Sequence, residues 1–221
     1  MATNFPISLD AFTNPTAVDT LDSPPHDVQH ADANDAIEAL QAKVGVDGSA
    51  VTTSLDYKVA QQGLVLIKTQ AIGSAVSSVT VSDAFSADYD NYKMIISINN
   101  SSVSYGELRL ELGGITFNYY SGGYDIYWLP FSSMPQFFHE GPEDSFKIGF
   151  QDSGATVCTV EFQNPFSPTS RTSISALQSP QTWALSMMGF VDSIASATSV
   201  TISPDSGTIS GGTIRVYGYR N

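Results

Sequence analysis

Side chains able to do chemistry are few in this chain. The histidines are His26, His30 and His139, and the first two stand four apart with Asp22 and Asp27 close by. That spacing puts two imidazoles on one helical face, and copies gathered around a three-fold axis could close them into a metal-binding ring. The glutamate of a zinc-protease helix is missing, and the pair starts in a proline-broken stretch. Solvated or packed histidines are the simpler expectation, and no metal ligand is assigned. Glu140, Glu143 and Asp144 surround Gly141-Pro142. A carboxylate loop can hold calcium, and with Asp125 the cluster could offer paired carboxylates for glycoside hydrolysis. No EF-hand spacing accompanies it, and nothing in the sequence fixes two carboxyl groups at catalytic separation. An acidic surface loop explains the same residues.

Nucleophilic chemistry fares no better. No Gly-x-Ser-x-Gly elbow is present, and no glycine-rich phosphate cradle follows a strand into a helix. Cys158, the single cysteine, lies in Thr156-Val157-Cys158-Thr159-Val160, whose alternation predicts a strand with a buried structural thiol. It also excludes an intrachain disulfide. Across these classes the sequence predicts a non-enzymatic structural role, with no cofactor and no catalytic residue.

Composition narrows the partners. The chain has 221 residues, 22 acidic against 9 basic, for a formal net charge of −13. Such a field repels phosphate backbones, so nucleic acid is not an expected partner. Residues 1–62 hold nine acidic side chains against Lys43 and Lys58, a net of −7 (2 − 9). An acidic segment of this kind suits a basic groove on a partner, or is simply solvated. The opening residues lack a basic n-region and apolar core, and no apolar run is long enough to span a bilayer, so no signal and no membrane are expected.

The elements fall into two domains, 1–62 and 63–221. Pro6, Pro15, Pro24 and Pro25 forbid regular structure in the opening stretch, which reads as an extended arm. Phe5, Ile7, Leu9, Phe12, Val18 and Leu21 punctuate it, apolar residues that an arm without a core would bury on a neighbour. His30–Val44 is alanine-rich, free of proline and glycine, and closed by Gly45, which predicts a helix of about four turns. Asp32 and Asp35 near its start and Lys43 near its end complement the helix dipole. Ala33, Ile37, Leu40 and Val44 form a narrow apolar seam suited to contact between copies. A second short helix is predicted through Leu55, Val59 and Gln62, capped by Thr53 or Ser54. The residues expected at an association or attachment interface are Phe5, Phe12, Leu21, Ile37, Leu40, Val44 and Leu55.

From Gly63 the period switches to two. Strands are predicted at Leu64–Thr69, Ser78–Ser82, Tyr92–Ile98, Glu107–Leu112, Ile115–Tyr119 and Asp125–Leu129. They continue at Phe146–Phe150, Val157–Phe162, Thr172–Leu177, Leu185–Phe190, Ser199–Ile202 and Thr213–Tyr219. Turn pairs separate them, among them Asn99-Asn100, Gly122-Gly123, Gly141-Pro142 and Gly211-Gly212. Short, evenly spaced strands without intervening helices predict a mainly β fold, a jelly-roll-like antiparallel β-sandwich preceded by the extended arm and short helix. Of Phe117, Tyr119, Tyr120, Tyr124, Tyr127, Trp128 and Phe131, then Phe137, Phe138 and His139, most are expected to fill the interior. The remainder would face another subunit or a sugar.

The stretch from Phe12-Thr13-Asn14-Pro15 through Ser23-Pro24-Pro25-His26 to His30-Ala31-Asp32-Ala33-Asn34-Asp35-Ala36-Ile37-Glu38-Ala39-Leu40 resembles the N-terminal attachment segment of virion-surface proteins of tailed bacteriophages. Tail fibres and capsid decoration proteins are among these. Gly211-Gly212-Thr213-Ile214-Arg215-Val216-Tyr217-Gly218-Tyr219 is similar to the end of the β-domain that often follows. The resemblance implies a homotrimer at the virion surface, its arm on the particle and its β-sandwich knob outward. The knob follows the helix with almost no shaft. This favours a capsid cement or decoration protein on the outer capsid face, bound to the major capsid protein. The alternative is a short tail fibre or receptor-binding protein, bound to a tail or baseplate protein and recognising host glycan.

Overall fold

The computed structural model describes residues 4–5, 7–8, 14, 16, 18–20, 22, 25–60, 62–127, 136–178 and 183–220. Phe12 and Leu21, of the expected interface, lie outside them, as do Leu9, Trp128 and Phe131. The chain divides into two compact units, Met1–Gln62 and Gly63–Asn221.

The first unit contains α1 (His26–Val44) and α2 (Leu55–Ala60). Helix α1 starts four residues before the expected His30. Pro25 precedes its first residue with φ −57°, and the Gln29 N–H donates to the Pro25 carbonyl at 3.1 Å. A proline can begin a helix because its missing N–H would be unpaired there anyway, so the prolines mark the boundary more sharply than the alanine content does. The acid of the first turn is therefore Asp27, not Asp32 or Asp35, and Lys43 occupies the last turn as expected. Gly45 closes the helix at φ +88°, its N–H donating to the Gln41 carbonyl at 2.8 Å. A Cβ there would lie 2.9 Å from that of Ser54. Ser54 caps α2, accepting the Tyr57 N–H at 3.2 Å.

The described elements of the second unit are all strands: β1 (Leu64–Ala71), β2 (Val79–Val81), β3 (Asn91–Ser101), β4 (Glu107–Leu112), β5 (Tyr119–Tyr127), β6 (Gln136–Glu143), β7 (Phe146–Phe150), β8 (Thr156–Gln163), β9 (Ser173–Gln178), β10 (Trp183–Val191), β11 (Val200–Pro204) and β12 (Ile209–Tyr219). They form an eight-stranded sheet in the order β1-β12-β3-β8-β9-β10-β5-β6 and a four-stranded sheet in the order β2-β11-β4-β7. Every pairing is antiparallel. The sheets make a mainly β sandwich, as the alternation predicts. The pairing is nested: β1 lies beside β12 in one sheet while β2 lies beside β11 in the other. Strands β9, β10, β5 and β6 extend the far edge of the larger sheet beyond β8.

Alternate residues of the strands meet between the sheets. Tyr92, Met94 and Ile96 of β3 and Leu108, Leu110 and Leu112 of β4 are fully buried there, as are Phe146, Ile148, Val160, Ile214 and Val216. Each such side chain contributes about 1.5–3 kcal/mol on removal from water. The buried Tyr119 hydroxyl is satisfied locally. The Leu112 N–H donates to the Tyr119 hydroxyl at 2.9 Å, and that hydroxyl donates to the Ile115 carbonyl at 2.9 Å.

Several expected turns are strand interior instead. The two strands predicted on either side of Gly122-Gly123 are one, β5, and Ile115 is buried ahead of it rather than paired. The reason is close packing: a Cβ on Gly123 would lie 2.2 Å from the Ser186 carbonyl oxygen. Here glycine lets neighbouring backbone approach and does not turn the chain. Gly141-Pro142 falls inside β6, a strand the sequence pattern does not predict, and Asn99-Asn100 falls inside β3. Gly211 and Gly212, at φ +65° and +106°, lie within β12, whose register against β3 is the same on either side of them.

Candidate functional site

Three groups of side chains could serve function, and each is set by its element. The first is a charged layer beneath the β5–β6 pair. Glu107 and Arg109 alternate along β4, Lys147 projects from β7, and Asp125, Phe138 and Glu140 face them from β5 and β6. Arg109 pairs with Glu107 and donates from Nη1 to Glu140 Oε2 at 2.8 Å. Lys147 Nζ lies 3.2 Å from Glu107 Oε1 and 3.6 Å from Asp125 Oδ2. It also sits over the rings of Phe138 and Phe150, at 4.7 and 4.5 Å from their centroids. Burial works against the Arg109 charge, but the Glu107 and Glu140 carboxylates outweigh it and raise its pKa.

This layer reassigns the acidic residues singled out in the sequence. Asp125 and Glu140 are tied to cations that fasten β5 and β6 onto the smaller sheet. Glu143 and Asp144 are exposed, with Asp144 accepting the Ser145 hydroxyl at 3.2 Å. The four carboxylates therefore do not converge on one site. His26 and His30 do meet on α1, their Nε2 atoms 3.3 Å apart, and both are exposed. Among the described residues, no group of three or more His, Cys, Asp and Glu side chains is gathered to hold a metal ion. Cys158 is buried, its thiol donating to the Ile148 carbonyl at 3.2 Å, and burial pushes its pKa up to about 12.

The second group is the outward face of β9, β10, β5 and β6. Leu177, Ser186, Tyr124 and Phe137 form one row across the four strands. Ser175, Met188, Gly122 and His139 form the next, then Ser173, Phe190 and Tyr120. Met188 is 73% exposed and Phe137 85%, with Leu177, Tyr124 and Phe190 also exposed. Tyr120 and Phe190 stack at 5.2 Å with ring planes 10° apart. Glycine at 122 leaves a dent of about 440 Å³ between Met188 and His139. The sequence pattern marks Tyr120, Tyr124 and Phe137 as candidates for contact, and misses Leu177, Met188 and Phe190. The signal was available in Leu185-Ser186-Met187-Met188-Gly189-Phe190: apolar residues of both parities cannot all face the core.

The third group lies in the first unit. Ile37, Leu40 and Val44 of α1 are 53%, 52% and 47% exposed, and Leu55 and Val59 of α2 are exposed too. Phe5 is half-buried. Among the described residues of Met1–Gln62 only Asp32 and Ser54 are buried, and neither is apolar. The described part of this unit has no hydrophobic core of its own. Among the described residues, no helix is long and apolar enough to cross a membrane.

No protein-family model matches the chain, and no curated protein matches it. Among solved structures it is similar to a protein of unknown function from Shewanella oneidensis MR-1, at 8% identity over 72% of this chain and 75% of that one. The TM-score of that likeness is 0.20, too slight to carry an argument about either fold or function.

Proposed function

We propose that the chain is a non-enzymatic structural protein of a tailed-bacteriophage particle, a homotrimeric capsid cement or decoration protein that attaches through its N-terminal unit. One observation carries the association: in Met1–Gln62 no described apolar side chain is buried, while Ile37, Leu40 and Val44 stand exposed along one helix. A helix of this length gains little by itself in water, and sister copies or a particle surface would cover its seam. The assignment to a phage, and the choice of the major capsid protein as partner, rest on the resemblance of the N-terminal segment. We read the nested strand pairing as a jelly roll carrying two added strand pairs.

Locating labelled protein on the particle tests this. Hundreds of copies on the capsid, and shells that lose resistance to heat and low salt without the protein, are the expected result. A copy number of a few dozen or fewer, confined to the tail, would reject the cement role.

A second reading, a receptor-binding fibre that recognises host glycan, has its own supporting observation. Tyr89, Phe166, Asp90 and Asn164 line a pocket of about 310 Å³ formed by the loops before β3 and after β8. Aromatic rings with a carboxylate and an amide at the rim match the apolar faces and hydroxyls of a sugar. Binding of host surface polysaccharide that disappears in Asp90→Ala would favour this reading, and binding unchanged in that variant would remove it.

A further inference from the structure

We infer that the outward face of β9, β10, β5 and β6 packs against a second copy of this chain. The inference extends the association proposed for the helices to the β unit, and rests on that reading. The three described rows on this face hold no Asp, Glu, Lys or Arg, in a chain of net charge −13, and Glu140, which lines the dent, is paired with Arg109. Two copies so acidic repel one another over most of their surface, and meet at least cost where the acids are absent. Leu177, Tyr124, Phe137, Met188 and Phe190 are exposed together on this face, without an acid among them to repel a second copy.

Other occupants fit less well. Of the aromatic rings on which a sugar could lie, Phe137 and Tyr124 are exposed at one end of the face, while Tyr120 and Phe190 at the other lie against each other. A Cβ on Gly141 would come within 2.5 Å of Tyr120 Cδ1, so backbone covers the Tyr120 ring as well. Leu177 and Met188 offer no flat face, whereas unbranched Met188 beside the dent over Gly122 can adapt to an inserted side chain. An anionic membrane or nucleic acid would find no cation here. Three rows on four strands span about 14 Å by 14 Å, or ~200 Å², well below the ~800 Å² per partner of a self-sufficient interface. The face therefore adds to an association begun by the helices, whose linkage to the β unit raises the local concentration of a second copy.

Thiol accessibility tests this on the full chain. Met188→Cys places a reactive thiol in the patch, while Cys158 stays silent because it is buried and its pKa is raised to about 12. Maleimide labelling is compared between this variant and the same variant carrying Ile37→Glu and Leu40→Glu to break the seam. Thr80→Cys, exposed on β2 of the smaller sheet, serves as control in both backgrounds. We expect labelling at position 188 to be at least about tenfold slower in the associated protein than in its seam-broken form, as a covered interface excludes solvent, with the control unchanged. A multimeric chain labelled equally fast in both backgrounds would overturn this inference and leave the helix reading standing. A chain that is monomeric throughout would overturn both.

Discussion

Arg109 on β4 donates from Nη1 to Glu140 Oε2 on β6 at 2.8 Å, so one guanidinium joins the outermost strand of the larger sheet to the smaller sheet. Removing it leaves Glu107 and Glu140 facing each other with Lys147 as the remaining cation. Arg109→Ala is expected to cost about 1–3 kcal/mol, because partly buried carboxylates lose their partner. Arg171→Ala, which breaks an exposed pair with Asp192, should cost under about 0.5 kcal/mol. Urea unfolding of the two variants measures the difference, and equal costs would contradict a fastening role for Arg109.

The neighbouring glycines of β5 should respond oppositely to a methyl group. A Cβ at Gly123 would lie 2.2 Å from the Ser186 carbonyl oxygen and 2.8 Å from Met187 Cα. Its nearest contact at Gly122 would be 3.5 Å, an ordinary separation. Gly123→Ala is expected to destabilise by about 1–3 kcal/mol through overpacking, and Gly122→Ala to be neutral or slightly stabilising. Thermal melts of both variants check this.

Alkaline pH should loosen the β unit. Burial raises the pKa of Tyr119 and of Cys158 to about 12 from ordinary values of 10.0 and 9.0. A raised folded-state pKa means that the folded form holds its proton where the unfolded form has lost it. The resulting stability is complete below the unfolded value and is lost as pH rises toward the folded one. Unfolding free energy is thus expected to fall between about pH 9 and 12. Tyr119→Phe should reduce that slope, although it also deletes the hydroxyl's hydrogen bonds at all pH values. A flat profile to pH 12 would contradict the burial of these groups.

The sandwich and most of its strands were legible because period-two alternation is local, and β4 and β7 match their predicted bounds residue for residue. Glycine pairs misled where their cause was tertiary. Gly122-Gly123 and Gly211-Gly212 look like turns in sequence, but Gly123 accommodates backbone from β10 and Gly212 backbone from β3, which no local pattern reveals. The exposed seam of α1 was legible in its four-three-four spacing. The fate of Asp125 and Glu140 was not, since their cations, Lys147 and Arg109, come from strands paired in the other sheet.

The described residues of Met1–Gln62 have no hydrophobic core, and the molar mass of the full chain in solution tests most directly the proposal that sister copies complete the unit. Light scattering should give three times the chain mass of 23.6 kDa, falling to a single chain in Ile37→Glu with Leu40→Glu, while circular dichroism keeps its β signal. A single-chain mass for the unmodified protein, with α1 helical and resistant to protease, would contradict it.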